Sequence, residues 1–255
     1  MYDMPDELIV EADGPIRVVT MNNPDGRNAF IDPLHEAMRN VWYRIAQDHD
    51  ARVVVLTGAG SAFCAGGNVP GFIRDYEDVA HRRQSIRDAR RLVDEMLSFH
   101  LPIVAAVNGP AVGLGASVAV LCDIVLISET AYIADTHVNI GLVAGDGGAA
   151  TWPFMMSMLR AKEYLFTGER IPAALAVELG LANRVVAPDD LMAEALVLAR
   201  KLAAQPPQAL QETKRALNAH LQQAAATVLP FALSAEAESF ATDEIRATIE
   251  GFTKK

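Results

Sequence analysis

Two glycine-rich stretches about fifty residues apart carry the first sign of chemistry in this chain. They are residues 62–68 and 108–117, and each follows an apolar, β-branched run, residues 53–57 and 103–107. A strand that ends in glycines and leads into a helix exposes backbone N–H groups that have no partner in the helix. Two such ends side by side direct two N–H donors at one oxygen atom. That arrangement is an oxyanion hole, which stabilises negative charge as it develops.

These stretches belong to five sequence blocks that follow one another along nearly the whole chain. The blocks are residues 23–29, 62–68, 106–117 with the closing Cys122-Asp123, 141–148, and 166–169 followed by 176–185. In this order and spacing they resemble the enoyl-CoA hydratase/isomerase (crotonase) superfamily. One block alone is a weak signal, whereas five in order make the resemblance specific to the family.

The fold class predicted from the element order is α/β. The repeated strand-strand-helix order in the first two thirds favours a right-handed spiral. The resemblance implies a crotonase-like right-handed ββα spiral core over residues 1–194 and a C-terminal helical trimerisation region over 195–255. In the family this region packs against a neighbouring subunit, so a homotrimer or a dimer of trimers is expected.

Local patterns locate the individual elements. Turn residues around Gly14 predict a hairpin, and Asp32 before Pro33 predicts an N-cap for a helix that ends near Gln47. Apolar spacing predicts further helices over residues 75–99, 115–121, 189–204 and 206–221, with a last helical region over 225–252.

The resemblance assigns the two oxyanion donors. One is the N–H of Gly67, which follows Ala65 and Gly66 in the first glycine stretch. The other is the N–H of Leu114, where the family usually carries the middle glycine of a glycine run. The donor is a backbone group, so a leucine is tolerated there if its side chain finds room.

Coenzyme A is expected as part of the substrate, and no permanently bound cofactor is expected. In the family the loop after residue 26 and the first glycine stretch wrap the pantetheine and adenine through backbone contacts. The resemblance therefore implies coenzyme A contacts at Arg27, Ala29, Ala65, Gly66 and Asn68. Arg27 is either a phosphate ligand or a solvated turn arginine. Asn68 stands where the family usually has aspartate, so the usual ion pair is lost.

The proton-transfer groups depart from the family pattern. Hydratases of the family use two glutamates, and the corresponding positions here are Ser117 and His137. A serine is no general base at neutral pH without an activator, so two-glutamate hydration is not expected to operate unchanged.

His137 and Asp146, nine residues apart, are the remaining candidates for proton transfer. An imidazole moves protons near neutral pH, and a carboxylate in hydrogen-bond reach fixes its tautomer and raises its basicity. The structural alternatives are a loop histidine satisfied by the backbone and an Asp146 that caps the next helix. Tyr76, Tyr132, Glu95 and Asp135 are further candidates that the sequence alone does not bring to the site.

The His137–Asp146 spacing also resembles crotonase-fold hydrolases that cleave carbon–carbon bonds of cyclic β-diketones, as does Trp152-Pro153. Those hydrolases depart from the second glycine stretch that this chain keeps, which favours a thioester site. Three hypotheses remain open. They are an acyl-CoA enzyme with an enolate-like intermediate, a hydrolase of a carbon–carbon or thioester bond, and a catalytically silent acyl-CoA-binding or structural protein.

The composition limits the classes of binding partner that are expected. A net charge of −10 over 255 residues argues against a nucleic-acid partner, which needs a basic face. The N-terminus lacks an apolar signal core and no apolar run reaches the length of a membrane span, so a cytoplasmic protein with no membrane partner is expected. Cys64 and Cys122 are expected as free buried thiols, and no metal-ligand spacing is found.

Overall fold

The computed structural model describes residues 2–253 and builds an α/β fold around two sheets. The strands are β1 Leu8–Asp13, β2 Ile16–Met21, β3 Val53–Gly58, β4 Ile103–Val107, β5 Ala111–Val112, β6 Ile124–Ser128, β7 Tyr132–Ala134, β8 Ile171–Pro172 and β9 Arg184–Val186. The helices are α1 Asp32–Ala46, α2 Phe72–Glu77, α3 Val79–Ser98, α4 Leu114–Leu121, α5 Gly148–Met155, α6 Met158–Thr167, α7 Ala173–Leu179, α8 Leu191–Ala203, α9 Pro207–Ser239 and α10 Asp243–Thr253.

The larger sheet has the strand order β1-β2-β3-β4-β6-β9. The predicted β1–β2 hairpin is present and antiparallel, and every later pairing in this sheet is parallel. β3 and β4 are buried on both faces, which is why their sequences read as continuous apolar runs. The smaller sheet has the order β5-β7-β8 and lies beside the second glycine stretch.

Helices cover both faces of the larger sheet. Val54 and Leu56 point into the main core, whereas Val53 and Val55 pack against Ala195 and its neighbours on α8. The division expected at residue 194 therefore falls inside α8, a helix that covers the sheet. The long helix α9 packs on α3 and α5 of its own chain.

Three local predictions are wrong. Asp32 is the first residue of α1 rather than its N-cap, which is Ile31. The helix predicted over 75–99 breaks at Asp78, because the Asp78 carboxylate accepts hydrogen bonds from the N–H groups of Ala80 and His81 and starts α3 there.

The third wrong prediction concerns the helix expected over 206–221. It continues unbroken as α9 to Ser239, through Pro230. Buried Leu229 and Leu233, on either side of this proline, pack into the main core and keep the helix together. The extension matters because it brings the side chain of Glu236 to the cavity described below.

Among the helices that the structure describes, none has both the length and the apolar character needed to cross a bilayer.

Candidate active site

The two glycine stretches lie against each other. The N–H of Cys64 donates to the carbonyl of Pro110 (3.1 Å), and the N–H of Val112 donates to the carbonyl of Cys64 (2.9 Å). Gly66 has a φ of +86°, and a Cβ at this position would lie 2.5 Å from the Val112 oxygen. Only glycine permits this approach, so the sequence itself fixes how closely the two stretches meet.

Gly67 and Leu114 both line one cavity of about 1230 Å³. Leu114 is the first residue of α4, so its N–H has no acceptor inside the helix. Neither N–H has a hydrogen-bond acceptor within residues 2–253. Two unpartnered backbone donors therefore face the same space, and the buried Leu114 side chain finds room in the core.

His137 lies between two carboxylates. Asp135, directly after β7, holds the imidazole Nδ1 at 2.6 Å. Asp146, just before α5, places its Oδ2 at 3.2 Å from Nε2. All three side chains are buried, and His137 and Asp146 line the cavity. The pair considered from the sequence is therefore in contact, and Asp135 joins it.

The structural alternatives for this pair are wrong. Asp146 does not cap α5, whose N-cap is Gly147, and no side-chain capping bond is present there. The His137 ring is held by carboxylates rather than by the backbone. Ser117 is fully buried and does not line the cavity; its hydroxyl donates to Asp146 Oδ1 at 3.0 Å. Ser117 thus orients Asp146 and has no path to a bound substrate.

The charges around His137 control its protonation. Burial alone lowers the pKa of His137, but the charges and hydrogen bonds of Asp135 and Asp146 outweigh burial and raise this pKa well above its usual value. The imidazole is therefore a cation at neutral pH. This differs from the expectation that the ring itself accepts a proton. The base that remains is the Asp146 carboxylate, stabilised by the imidazolium.

Glu236 is the functional candidate that sequence reasoning missed. It comes from the last turns of α9 and packs against Gly145, where a Cβ would lie 2.4 Å from its Oε2. One ligand atom from each of His137, Asp146 and Glu236 lies within 4.8 Å of the others. Oε2 is buried without a hydrogen-bond partner among the described residues. Burial, helped by the charge of Asp146, raises the pKa of Glu236 to about 8, so this carboxyl group keeps its proton at neutral pH.

A sequence signal for Glu236 exists. Buried Leu229 and Leu233 mark the inward face of α9, and buried Phe240 caps its C-terminal end. Glu236 continues their spacing of three to four residues. Burying a carboxyl group inside an apolar stripe costs folding free energy, so a carboxyl group at such a position is a candidate for a functional role. Ending the predicted helix at residue 221 concealed the stripe.

The same three side chains are also spaced to hold a metal ion, and they are the one such group found within residues 2–253. The sequence spacing gave no sign of this set.

Four of the five expected coenzyme A contacts line the cavity: Arg27, Ala29, Ala65 and Asn68. Gly66 does not, because it lies against Val112. The carbonyl of Arg27 accepts the N–H of Ala65, which joins the two loops. The Arg27 guanidinium has no carboxylate partner among the described residues, so it is available to an anionic ligand.

The remaining candidates separate by position. Tyr132 lines the cavity, whereas Glu95 pairs with Arg91 on α3 and Tyr76 packs in an apolar cluster with Ile245.

Both cysteines are free and buried, as expected. Burial raises the pKa of Cys64 to about 12, which leaves no reactive thiolate in the first glycine stretch.

Residues 11–255 match the sequence model of the enoyl-CoA hydratase/isomerase family. The chain belongs to this family. A short-chain-enoyl-CoA hydratase of Clostridium acetobutylicum is 32% identical over 249 residues, which cover 97% of this chain and 95% of the relative. A crystal structure of an enoyl-CoA hydratase/isomerase from Mycobacterium paratuberculosis superposes with a TM-score of 0.95 at 50% identity, covering 98% of this chain and 100% of that one. The crotonase fold class predicted from the sequence is confirmed.

A hydrolase is also among the similar structures. A β-diketone hydrolase from the cyanobacterium Anabaena, bound to (S)-3-oxocyclohexyl acetic acid, superposes with a TM-score of 0.86 at 29% identity. The alignment covers 94% of this chain and 98% of that one. The resemblance to β-diketone hydrolases drawn from the His137–Asp146 spacing thus has a counterpart among solved structures.

Proposed function

We propose that this enoyl-CoA hydratase/isomerase family member binds an acyl-CoA and stabilises a thioester enolate. The observation that carries the proposal is that the unpartnered N–H groups of Gly67 and Leu114 share one cavity with His137, Asp146 and Glu236. A thioester oxygen between the two N–H groups gains negative charge when a proton leaves Cα or a nucleophile adds at Cβ. Fixed donors stabilise that charge without reorganisation.

Asp146 and Glu236 supply the base and the acid that replace the usual glutamates. In hydration, Asp146 takes a proton from water while the hydroxide adds to Cβ of the enoyl thioester. The enolate forms against Gly67 and Leu114, and the neutral carboxyl group of Glu236 gives its proton to Cα. A proton then passes from Asp146 back to Glu236, and one water has been added in total. His137 stabilises the Asp146 carboxylate before and after the reaction and keeps its orientation while it carries the proton.

Hydrolysis of a carbon–carbon bond is the second candidate. It is favoured by Glu236, an acid beside a base, together with the similarity to a β-diketone hydrolase. Here Asp146 activates water for attack on the β-keto carbonyl of a β-keto thioester. Asp146 takes a proton from the water as the hydroxide adds to that carbonyl carbon. The bond between this carbon and Cα then breaks, its electron pair becomes the thioester enolate, and Glu236 protonates Cα. A proton finally passes from Asp146 back to Glu236. The products are a carboxylic acid and a shortened acyl-CoA.

The loss of both usual glutamates favours a catalytically silent protein, whereas the His137–Asp146 pair and Glu236 argue against it. A buried carboxyl group without a hydrogen-bond partner destabilises the fold. A chain without chemistry gains stability by replacing Glu236 with an apolar residue, whereas this chain keeps it beside an ion pair.

We also propose that the trimer or dimer of trimers expected from the family forms in solution. Large apolar side chains are exposed on α5 and α6, namely Phe154, Met158, Leu159 and Phe166. Such a patch suits burial against a second copy of the chain. Light scattering after size exclusion tests this, and a monomer at micromolar concentration contradicts it.

Product masses in ¹⁸O-labelled water test the proposed function and separate the two reactions. Crotonyl-CoA is expected to gain one labelled water and remain a single CoA ester. Acetoacetyl-CoA is expected to stay intact unless the hydrolase is correct, in which case labelled acetate and acetyl-CoA appear. If neither substrate reacts and neither binds, the acyl-CoA proposal is wrong.

A further inference from the structure

A second histidine–aspartate group lines the same cavity, on the α2–α3 side. Asp75 on α2 is buried, and its Oδ1 accepts the Ser85 hydroxyl at 2.6 Å. The same oxygen lies 3.0 Å from His81 Nδ1. Asp75, His81 and Ser85 are all cavity-lining residues, and the proton transfer proposed above uses none of them.

This group lies within electrostatic reach of the reacting centre. The negative charge of Asp75 is among the charges that raise the pKa of Glu236. Phe72 and Phe240 pack edge to face beside it, with ring centroids 5.2 Å apart, and both line the cavity. Phe72 lies on α2 with Asp75, and Phe240 directly follows α9, which carries Glu236, so the two rings line the cavity where these elements meet.

The hydrogen bonds at this end of the cavity determine which ligand groups can bind there. Nδ1 of His81 faces the Asp75 carboxylate, which leaves Nε2 without a partner among the described residues. Ser85 uses its proton on Asp75, so its oxygen also offers lone pairs. Both free atoms belong to residues that line the cavity, and a hydroxyl group, which donates and accepts hydrogen bonds, is suited to pair with them.

We propose that Asp75, His81 and Ser85 form a subsite for a hydroxyl group carried on the acyl chain. The proposal rests on the acyl-CoA function proposed above and adds its substrate class, a hydroxylated acyl-CoA rather than a plain alkyl one. Without a hydroxyl group, an acyl chain covers the half-buried polar atoms of His81 and Ser85 without pairing them, and this loss disfavours plain chains.

A purely structural role makes a different prediction. Asp75 also joins α2 to α3, because it accepts from Ser85 and approaches His81 across the break at Asp78. If that is its whole role, removing His81 weakens the binding of hydroxylated and plain chains alike. A purely structural role leaves the preference for hydroxylated over plain acyl chains unchanged, so this preference is the quantity to measure.

Binding constants for paired ligands test the subsite independently of turnover. Saturated acyl-CoAs of four to eight carbons are titrated by calorimetry, each against its ω-hydroxy counterpart of equal length. At one length or more, the hydroxylated ligand is expected to bind about tenfold tighter, the effect of one good hydrogen bond. His81→Phe and Ser85→Ala are expected to remove this preference and to leave the affinity for the plain ligand within about threefold. His220→Phe on the exposed face of α9 is the matched control and keeps the preference.

The outcomes separate the subsite from the proposed function. Equal affinity for both ligands at every length overturns the subsite and leaves the acyl-CoA function standing. A preference that survives both variants overturns it as well. If no acyl-CoA binds at all, both proposals fail together.

Discussion

The two sides of the cavity work by different physics. On one side the N–H groups of Gly67 and Leu114 are neutral dipoles fixed by the backbone, and they do not titrate. On the other side His137, Asp146 and Glu236 are buried ionisable groups whose charges depend on one another. Charge stabilisation is therefore expected to be independent of pH and, at Leu114, insensitive to the identity of the side chain. Proton transfer should depend strongly on both.

The largest effect is expected for Asp146→Asn. The amide keeps the size of the side chain and an oxygen for the Ser117 hydroxyl, but it cannot accept a proton. General acid–base groups contribute about 10²–10⁴ in rate, and the proposed base belongs at the upper end of that range. Steady-state kinetics is expected to show kcat reduced by about 10³ or more. Circular dichroism and the melting temperature serve as the fold control.

Leu114→Pro tests the backbone side of the cavity. Leu114 is at the first position of α4, where proline is tolerated because that N–H has no intrahelical partner. The variant removes one donor and keeps the helix, so turnover is expected to fall by about 10²–10³ with an unchanged pH profile. Leu114→Ala keeps the N–H and is expected to stay within about tenfold of wild type. Full activity in a folded Leu114→Pro protein excludes this donor.

Glu236→Gln separates the acid from the base. The raised pKa of Glu236, about 8, means that the proton it donates is present below that pH and lost above it. The wild-type kcat is therefore expected to fall as pH rises through about 8. The glutamine variant is expected to be about 10²-fold slower and to lack this limb. If the fall in kcat near pH 8 persists in the glutamine variant, the titrating group is not Glu236.

The same substitution has a smaller effect on stability. The folded protein keeps the Glu236 proton up to about pH 8, whereas the unfolded chain loses it near the ordinary glutamate pKa of 4.5. The folded state thus binds more protons in between, so the free energy of unfolding falls as pH rises across this window. Glutamine does not titrate, and the melting temperature of Glu236→Gln relative to wild type is expected to rise by about 3 °C or more between pH 5 and pH 9. A constant difference across this range contradicts the buried, raised pKa.

The backbone side of the cavity could be predicted from the sequence because its signals are local. A buried strand followed by glycines identifies each loop, and the steric requirement at Gly66 is visible in the residue itself. The proton-transfer side could be predicted only in part. His137 and Asp146 are close along the chain, and their contact follows from one loop that turns back on itself.

Glu236 lies ninety residues beyond Asp146 in the chain, and no local pattern specifies that α9 reaches this cavity. Its position depends on the tertiary packing of α9 on α3 and α5, which helix propensity does not encode. Ser117 shows the same dependence on tertiary structure. The family resemblance identifies its position, but its burial behind Asp146 makes it a hydrogen-bond donor to Asp146.

The most direct test of the account is deuterium exchange at Cα of a saturated acyl-CoA in heavy water, followed by NMR. Exchange requires the enolate and a proton-transfer group but neither water addition nor bond cleavage, so it is common to both candidate reactions. We expect measurable exchange in the wild type, at least about 100-fold slower exchange in Glu236→Gln, which lacks the group that exchanges a proton with Cα, and in Leu114→Pro, and no effect of exchanging the exposed His220 for phenylalanine. Tight binding of the acyl-CoA without exchange, or exchange that survives both active-site substitutions, would contradict it.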